Sequence, residues 1–300
     1  MAELLLPLVE SLRVTIRRSA PRLAHERAKT TIKQRGQRPR LKEQSIRDYV
    51  KEGLQTNHWS PEQIAGTLPQ KILGTTVSHE AIYQYIYSQY TRGGYGVLVG
   101  ENLRIYLKRK HKVRKRKEVH FKVEKGAIKD RVLIDQRPVV VDLRVESGHW
   151  EGDSVVSKKS KVGLNTIVER VSGLVKISKI VNRTSRETQR VITKRLQRVP
   201  SYLRKTMTLD NGSENAKHKE ITKQLNMPIY FAHPYHSWER GCNENTNGLI
   251  RYYFPKGTDF ATISNEEIQT IERRLNNRPR KRLDYKTPQQ VFNHCVALKH

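Results

Sequence analysis

From Val139 onward the chain reads as three strand-like runs in succession and then as an alternation of helix and strand, and few architectures accept that order. Short β-rich runs from VVVDLRVESGHW into WEGDSVVS open the series, and GLNTIVERVS and GLVKISKIV follow as two strands joined at Ser172-Gly173. TSRETQRVITKRLQRV has helical spacing and a Thr184-x-x-Glu187 capping box. MTLDNGSE is a short strand running into a turn, KHKEITKQL is helical, and PIYFAHPY is a strand ending at Pro234. ERGCNENTNGLIRYYF is helical from near Glu239. The order predicts an α/β domain: a mixed five-stranded sheet with flanking helices, of ribonuclease-H-like connectivity.

The segment before it is of another kind. Ile46, Val50 and Leu54 recur every four residues with Tyr49 beside them, which predicts an amphipathic helix from Leu41 to a stop at Asn57. In WSPEQIAGTL, Ser60 can cap, Pro61 takes the first helical position and Gln63 completes a capping box, while Gly66 weakens the interior. A connection through Pro69 and Gly74 leads to a third helix starting at Ser78, with Ala81, Ile82, Tyr85 and Ile86 inward and His79, Tyr83, Gln84 and Tyr87 outward. Three short helices of this kind suit an all-α helix-turn-helix DNA reader, although the second connection is longer than the usual tight turn; a small bundle that only packs is the alternative. The resulting division is a basic N-terminal remnant at 1–40, a helix-turn-helix domain at 41–91, a basic linker at 92–137 and a catalytic domain at 138–300.

Charge identifies the partner class. Lysine and arginine outnumber aspartate and glutamate 58 to 29, a formal +29, and neutralising phosphates with such a surface releases condensed counterions. The charge is spread through folded-looking segments, which favours double-stranded DNA over a membrane surface. In the linker, Lys108, Arg109, Lys110, Arg114, Lys115 and Arg116 form a run that can grip backbone phosphate but cannot specify a base sequence. The apolar opening MAELLLPLVESL is followed, not preceded, by its basic residues, so it does not have the order of a signal peptide, and a cytoplasmic, nucleoid-associated protein is expected. Cys242 and Cys295 are too few for a disulfide framework or a four-cysteine zinc site.

Three acids stand out against this basic background. Asp153 lies in a strand otherwise half apolar, Asp210 closes MTL before Asn211-Gly212, and Glu244 shares a helix face with Asn247 and Arg251. Adjacent central strands would set the two aspartates side by side, and the late helix would swing the glutamate across. Such carboxylates can hold two magnesium or manganese ions, which activate water or a 3′ hydroxyl and stabilise the leaving oxygen in phosphodiester chemistry. Each acid also has an ordinary alternative: a backbone contact for Asp153, a turn for Asp210 and a surface charge for Glu244. His233, His236 and Cys242 are weaker candidates for a zinc site that lacks a fourth ligand. His149 and Trp150 read as supports of the first strand, and Glu239 competes with Glu244 for the third acid position.

GHWEGDSVV, TLDNGSEN, PYHSWERGCNENTNGLIRYYFPKGTDF and LNNRPRKRLDYKTP, with WSPEQIAGTL and VSHEAIYQYIY before them, resemble the insertion-sequence transposase family conventionally numbered thirty, over about Leu41 to Phe292. The resemblance implies a DDE transposase with a retroviral-integrase-like core. Such an enzyme binds the terminal inverted repeats of its element, cuts the 3′ ends and joins them to target DNA as a homodimer or higher oligomer. Its three acids fall on Asp153, Asp210 and Glu244, and its basic residue seven positions on falls on Arg251, a phosphate contact. Ser78, His79, Tyr83 and Gln84 fall in its DNA-reading helix. The region before Leu41 resembles only the tail of the family's first DNA-binding region, so a shortened front end is expected, and an inhibitory or defective DNA-binding relic is the alternative function.

Overall fold

The computed structural model describes residues 41–91, 96–108, 128–157, 159–234 and 236–298, together with 25, 26 and 29. The expected N-terminal remnant and the basic run from Arg109 to Arg116 therefore lie outside the described residues, apart from those three positions.

Helix α1, Gln44–Gln55, buries the Ile46, Val50 and Leu54 stripe. Helix α2, Pro61–Lys71, starts on the expected reciprocal box: Ser60 Oγ accepts from the Gln63 amide, and Gln63 Oε1 accepts from the Ser60 amide at 2.9 Å. Pro69 does not interrupt the chain after the helix, as the sequence implied, but lies inside its last turn. There only one internal hydrogen bond is forfeited, and the Ile72 amide still reaches the Leu68 carbonyl at 2.8 Å. Gly66 has a packing reason: a Cβ there would meet the ring of Tyr285 at 2.1 Å. Helix α3, His79–Ser88, is capped by Ser78, whose hydroxyl accepts from the Ala81 amide at 3.1 Å. Residues 72–78 separate α2 from α3, the long connection anticipated. The three helices close on Leu41, Ile64, Leu68, Ile82 and Ile86, and Leu103 and Leu107 from beyond residue 91 complete the same core.

The run around Val139–Val141 is not a strand. Val140–Leu143 forms a short helical turn, here α4, ended by Arg144 in the left-handed region at φ 54°, and Val139, Leu143 and Val145 are exposed. The first strand, which this segment precedes, is already paired on both sides, and β propensity without an adjacent partner counts for little. The strands are β1 His149–Val156, β2 Gly163–Glu169, β3 Val175–Ile180, β4 Thr206–Leu209 and β5 Ile229–Phe231. They form one sheet in the order β3-β2-β1-β4-β5, antiparallel from β3 to β1 and parallel from β1 to β5. This is the ribonuclease-H-like connectivity expected of the element order.

Helices α5 Ser185–Leu196, α6 His218–Leu225 and α9 Pro288–Ala297 cover one face, where Trp150, Ile167, Met207, Leu209 and Phe231 meet Ile192, Ile221 and Phe292. Helices α7 Gly241–Tyr253 and α8 Asn265–Asn276 cover the other, where Val155, Leu164, Val168 and Ile177 meet Leu249, Ile250 and Leu275. Thr184 caps α5 from the Glu187 amide, but the expected return bond is replaced: Glu187 pairs with Arg190 one turn on, at 2.7 Å. The helical unit is tied to the chain after α8. Gln63 donates to the Pro279 carbonyl at 2.5 Å and accepts from Arg278 Nε at 2.9 Å, and Lys281 pairs with Glu62 at 2.9 Å. Among the described residues no helix is long and apolar enough to cross a membrane.

Candidate active site

The period of two along a strand decides which residues meet. Trp150 and Leu209 point into the α5–α6 side of the sheet, so Asp153 on β1 and Asp210 just after β4 point to the α7 side. Parallel pairing sets Glu151 opposite Thr208, and the same offset carried two residues on sets Asp153 opposite Asp210. Gly152, between Glu151 and Asp153, lets the strands close: a Cβ there would meet Leu209 Cδ2 at 2.5 Å.

The two aspartates share one cation of the chain itself. Arg240, in the 3-10 turn Ser237–Arg240 that leads into α7, sets Nη1 3.2 Å from Asp153 Oδ1 and Nη2 3.7 Å from Asp210 Oδ2. The other oxygens are held by neutral donors. Asn247 Nδ2 donates to Asp153 Oδ2 at 2.7 Å, and Asn247 Oδ1 accepts from the Thr166 hydroxyl at 3.2 Å. Asn215 Nδ2 and the Gly212 amide donate to Asp210 Oδ1 at 2.7 and 3.2 Å. Burial holds the Asp153 carboxyl above the usual carboxylate range, with Asp210 adding to the rise and Arg240 opposing it.

Glu244 lies in the first turn of α7 and is exposed, with no hydrogen bond or ion pair among the described residues. The oxygens of the three acids do not all lie within 4.8 Å of one another, so the structure brings the aspartates together but leaves Glu244 outside the pair. A different acid helps to tie α7 to β1. Glu151, fully buried, accepts from the Asn243 amide at 3.1 Å on one oxygen and pairs with Arg170 on the other. Glu239, the competitor for the third position, faces His233 and His236 instead of the aspartates. Cys242 is not with the histidines; it lines a recess with Gly241, Thr246 and Arg282, so the weaker His233–His236–Cys242 candidate does not assemble.

No family model matches the chain. Individual relatives do. The chain is 42% identical to the transposase for insertion sequence element IS4351 of Bacteroides fragilis, over 79% of this chain and 70% of that protein. It is 37% identical to the transposase for IS1086 of Cupriavidus metallidurans, over 80% of this chain and 70% of that one. Transposase InsI for IS30A of Escherichia coli is 37% identical over 84% of this chain and 66% of its own length. The chain belongs to the IS30 family of insertion-sequence transposases. Among solved structures, the catalytic core domain of BIV integrase aligns at a TM-score of 0.41 and 20% identity, over 51% of this chain and 99% of that domain.

The residues expected to touch DNA are dispersed in the transposase. His79 is exposed on α3 and Gln84 is half-buried, donating to Glu80 at 3.3 Å. Tyr83 stacks on Tyr87 with centroids 6.2 Å apart, and both rings line a groove with Tyr106, Tyr252 and Arg278 between the helical unit and the sheet unit instead of facing freely outward. Ser78 is occupied as the α3 cap, and Lys108 is exposed at the groove's rim. Arg251 is seven residues beyond Glu244, yet its guanidinium donates to the Val156 carbonyl at 2.8 Å, and burial lowers its pKa. Sequence reasoning missed Arg240, Asn215 and Glu151. Arg240 comes from a loop without period, and Asn215 follows a turn signal that already explains it. Glu151 could have been found, since it shares the strand parity of Asp153 two residues away.

Proposed function

We propose that this transposase binds the terminal inverted repeats of its insertion sequence, cuts the 3′ ends and joins them to target DNA, with Asp153, Asp210 and Glu244 as the catalytic acids. The observation that carries the reading is the pairing of Asp153 and Asp210 on one sheet face, beneath the helix that bears Glu244, with a guanidinium across them. The donor set fits hard divalent cations: it consists of carboxylate oxygens, and Arg240 marks where positive charge is favourable. When bound, two magnesium or manganese ions held by the three acids would activate the attacking oxygen and stabilise the leaving one.

The chain's own residues prepare that site. Asn247 and Asn215 fix one oxygen of each aspartate, so the remaining oxygens, Asp153 Oδ1 and Asp210 Oδ2, stay turned toward the shared cation position. Arg240 has to release them for both to serve as ligands, and the freed guanidinium then suits a DNA phosphate. Glu244 joins the pair only after its exposed side chain swings across, since the Glu151–Asn243 contact holds the start of α7 on β1. The three-helix unit at 41–91 would read the element end, with His79 and Gln84 on the face offered to the major groove. Bringing two element ends together calls for a homodimer or higher assembly on DNA.

Strand transfer of a pre-cut, labelled element end in magnesium or manganese tests the reading. Wild type should join the end, while Asp153→Asn, Asp210→Asn and Glu244→Gln should bind it without joining. Wild-type protein that binds the end but never joins it would refute the proposal and favour an inhibitory relic.

A further inference from the structure

Beside the carboxylate pair lies a second cluster of metal-ligating groups. His233, just after β5, and His236 converge on one carboxylate oxygen: His233 Nδ1 is 2.9 Å and His236 Nδ1 3.1 Å from Glu239 Oε1. One donor atom from each of the three residues lies within 4.8 Å of the other two. The groups are held from behind. Glu239 Oε2 accepts from the His233 amide at 2.8 Å, and the His236 ring stacks on Trp238 with centroids 4.3 Å apart. Asp135 Oδ2, from the 3-10 turn Ile134–Gln136, is 2.9 Å from His233 Nε2.

The Asp135 contact creates an electrostatic demand. A carboxylate on Nε2 places the ring proton there, so a neutral His233 presents the lone pair of Nδ1 to Glu239 Oε1 at 2.9 Å. Two lone pairs at that distance require a positive charge, either a second proton on the ring or a cation between the atoms. A metal answers the same demand for His236 as well. Two ligands of a tetrahedral zinc-class ion with bonds of roughly 2.0 Å lie about 3.3 Å apart, close to the two histidine–carboxylate spacings of 2.9 and 3.1 Å.

We propose that His233 Nδ1, His236 Nδ1 and Glu239 Oε1 form a binding site for a zinc-class transition-metal ion, with Asp135 as the carboxylate that orients His233. Two imidazoles and one carboxylate select zinc, cobalt or nickel over magnesium, which prefers oxygen alone. Three protein ligands with His236 partly open to solvent leave a fourth position for water. The carboxylate–histidine–metal arrangement on Asp135 is the usual way such a ligand is held in one tautomer. The ion would staple the end of β5 to the turn carrying Arg240, and so to the start of α7. None of its ligands is one of the three acids proposed for transposition.

The test is cobalt binding by the metal-stripped full chain, followed by visible absorption. One equivalent of Co2+ should give the intense ligand-field bands of four-coordinate cobalt, displaced by Zn2+ and unmoved by excess Mg2+. The Asp153→Asn/Asp210→Asn double variant should keep the bands. His236→Ala and the shape-conserving Glu239→Gln should lose them while circular dichroism stays native, and Asp135→Asn should weaken affinity about 10–100-fold. A wild-type protein without four-coordinate bands would overturn the assignment. So would bands that survive in both His236→Ala and Glu239→Gln, or bands lost only in the double aspartate variant, which would place the ion at the carboxylate pair.

Discussion

Replacing Glu151 with alanine is expected to destabilise the transposase by about 3–5 kcal/mol, the usual loss when one partner of a buried ion pair is removed. Glu151 is fully buried and serves two elements at once, pairing with Arg170 through one oxygen and accepting from the Asn243 amide at 3.1 Å through the other. Its removal leaves a guanidinium with a side chain only 5% exposed to be satisfied by Asp142 at 3.3 Å and the Val141 carbonyl at 3.1 Å. Asp142 is itself largely in solvent, so its compensation is weak. The orphaned Asn243 amide accounts for about 1–3 kcal/mol of the total, as a buried donor without an acceptor. At roughly 2–4 °C per kcal/mol for a domain of this size, the melting midpoint should fall by about 6–20 °C. Thermal and urea melts of Glu151→Ala are read beside a cycle of Glu151→Leu, Arg170→Met and Glu151→Leu/Arg170→Met, in which the double variant should recover much of the loss because no charge is left buried. A single-variant loss under about 1 kcal/mol, or a double variant equal to the sum of the singles, would show that the pair does not anchor α7 as reasoned.

Other perturbations probe other links. Burial lowers the His149 pKa from 6.5, so its stabilising contribution is complete above that pH and is lost as pH falls toward the depressed folded value. His149→Gln should flatten the pH dependence of the urea midpoint in that window, and an unchanged slope would remove His149 from the account. Gly152→Ala should cost about 1–3 kcal/mol by forcing Leu209 to rotate, and should reduce joining further by disturbing Asp210 next door. Normal joining by a folded Gly152→Ala protein would show that the close approach is not needed. With a formal charge of +29, DNA affinity should fall steeply between low and moderate salt; a flat log–log plot of Kd against salt would contradict phosphate-dominated binding.

Much of the sheet unit was legible because its signals are local and agree. The β-branched residues of GLNTIVE and VKISKI, the glycine turn at 173 and the cap at Thr184 each name their element without reference to the rest. The strand adjacency that joins Asp153 to Asp210 followed from element order. Val139–Val145 was misread because β propensity is realised only with a pairing partner, and β1 beside it is already paired on both sides. Pro69 was misread because a proline is tolerated in a last turn, and the sequence does not mark where the last turn is. Arg240 and the Glu239–His233–His236 contacts depend on how one irregular loop folds back on itself, which no period encodes. Glu244 was located on its helix correctly, but its distance from the aspartates depends on side-chain conformation, which spacing does not report.

The parallel pairing of β1 with β4 also bears on how the protein is made. The residues proposed to cut DNA stand at positions 153, 210 and 244, and the aspartates meet only when strands separated by α5 and two other strands have docked. Contacts so distant in sequence form late, after the loop-closure cost has been met. A chain still emerging from the ribosome thus has its helical unit at 41–91 complete, while the acids are scattered along unfinished backbone. Cutting competence arrives as a step near the end of synthesis and not as a gradual gain. Translation products that stop before β4 would therefore lack the paired aspartates.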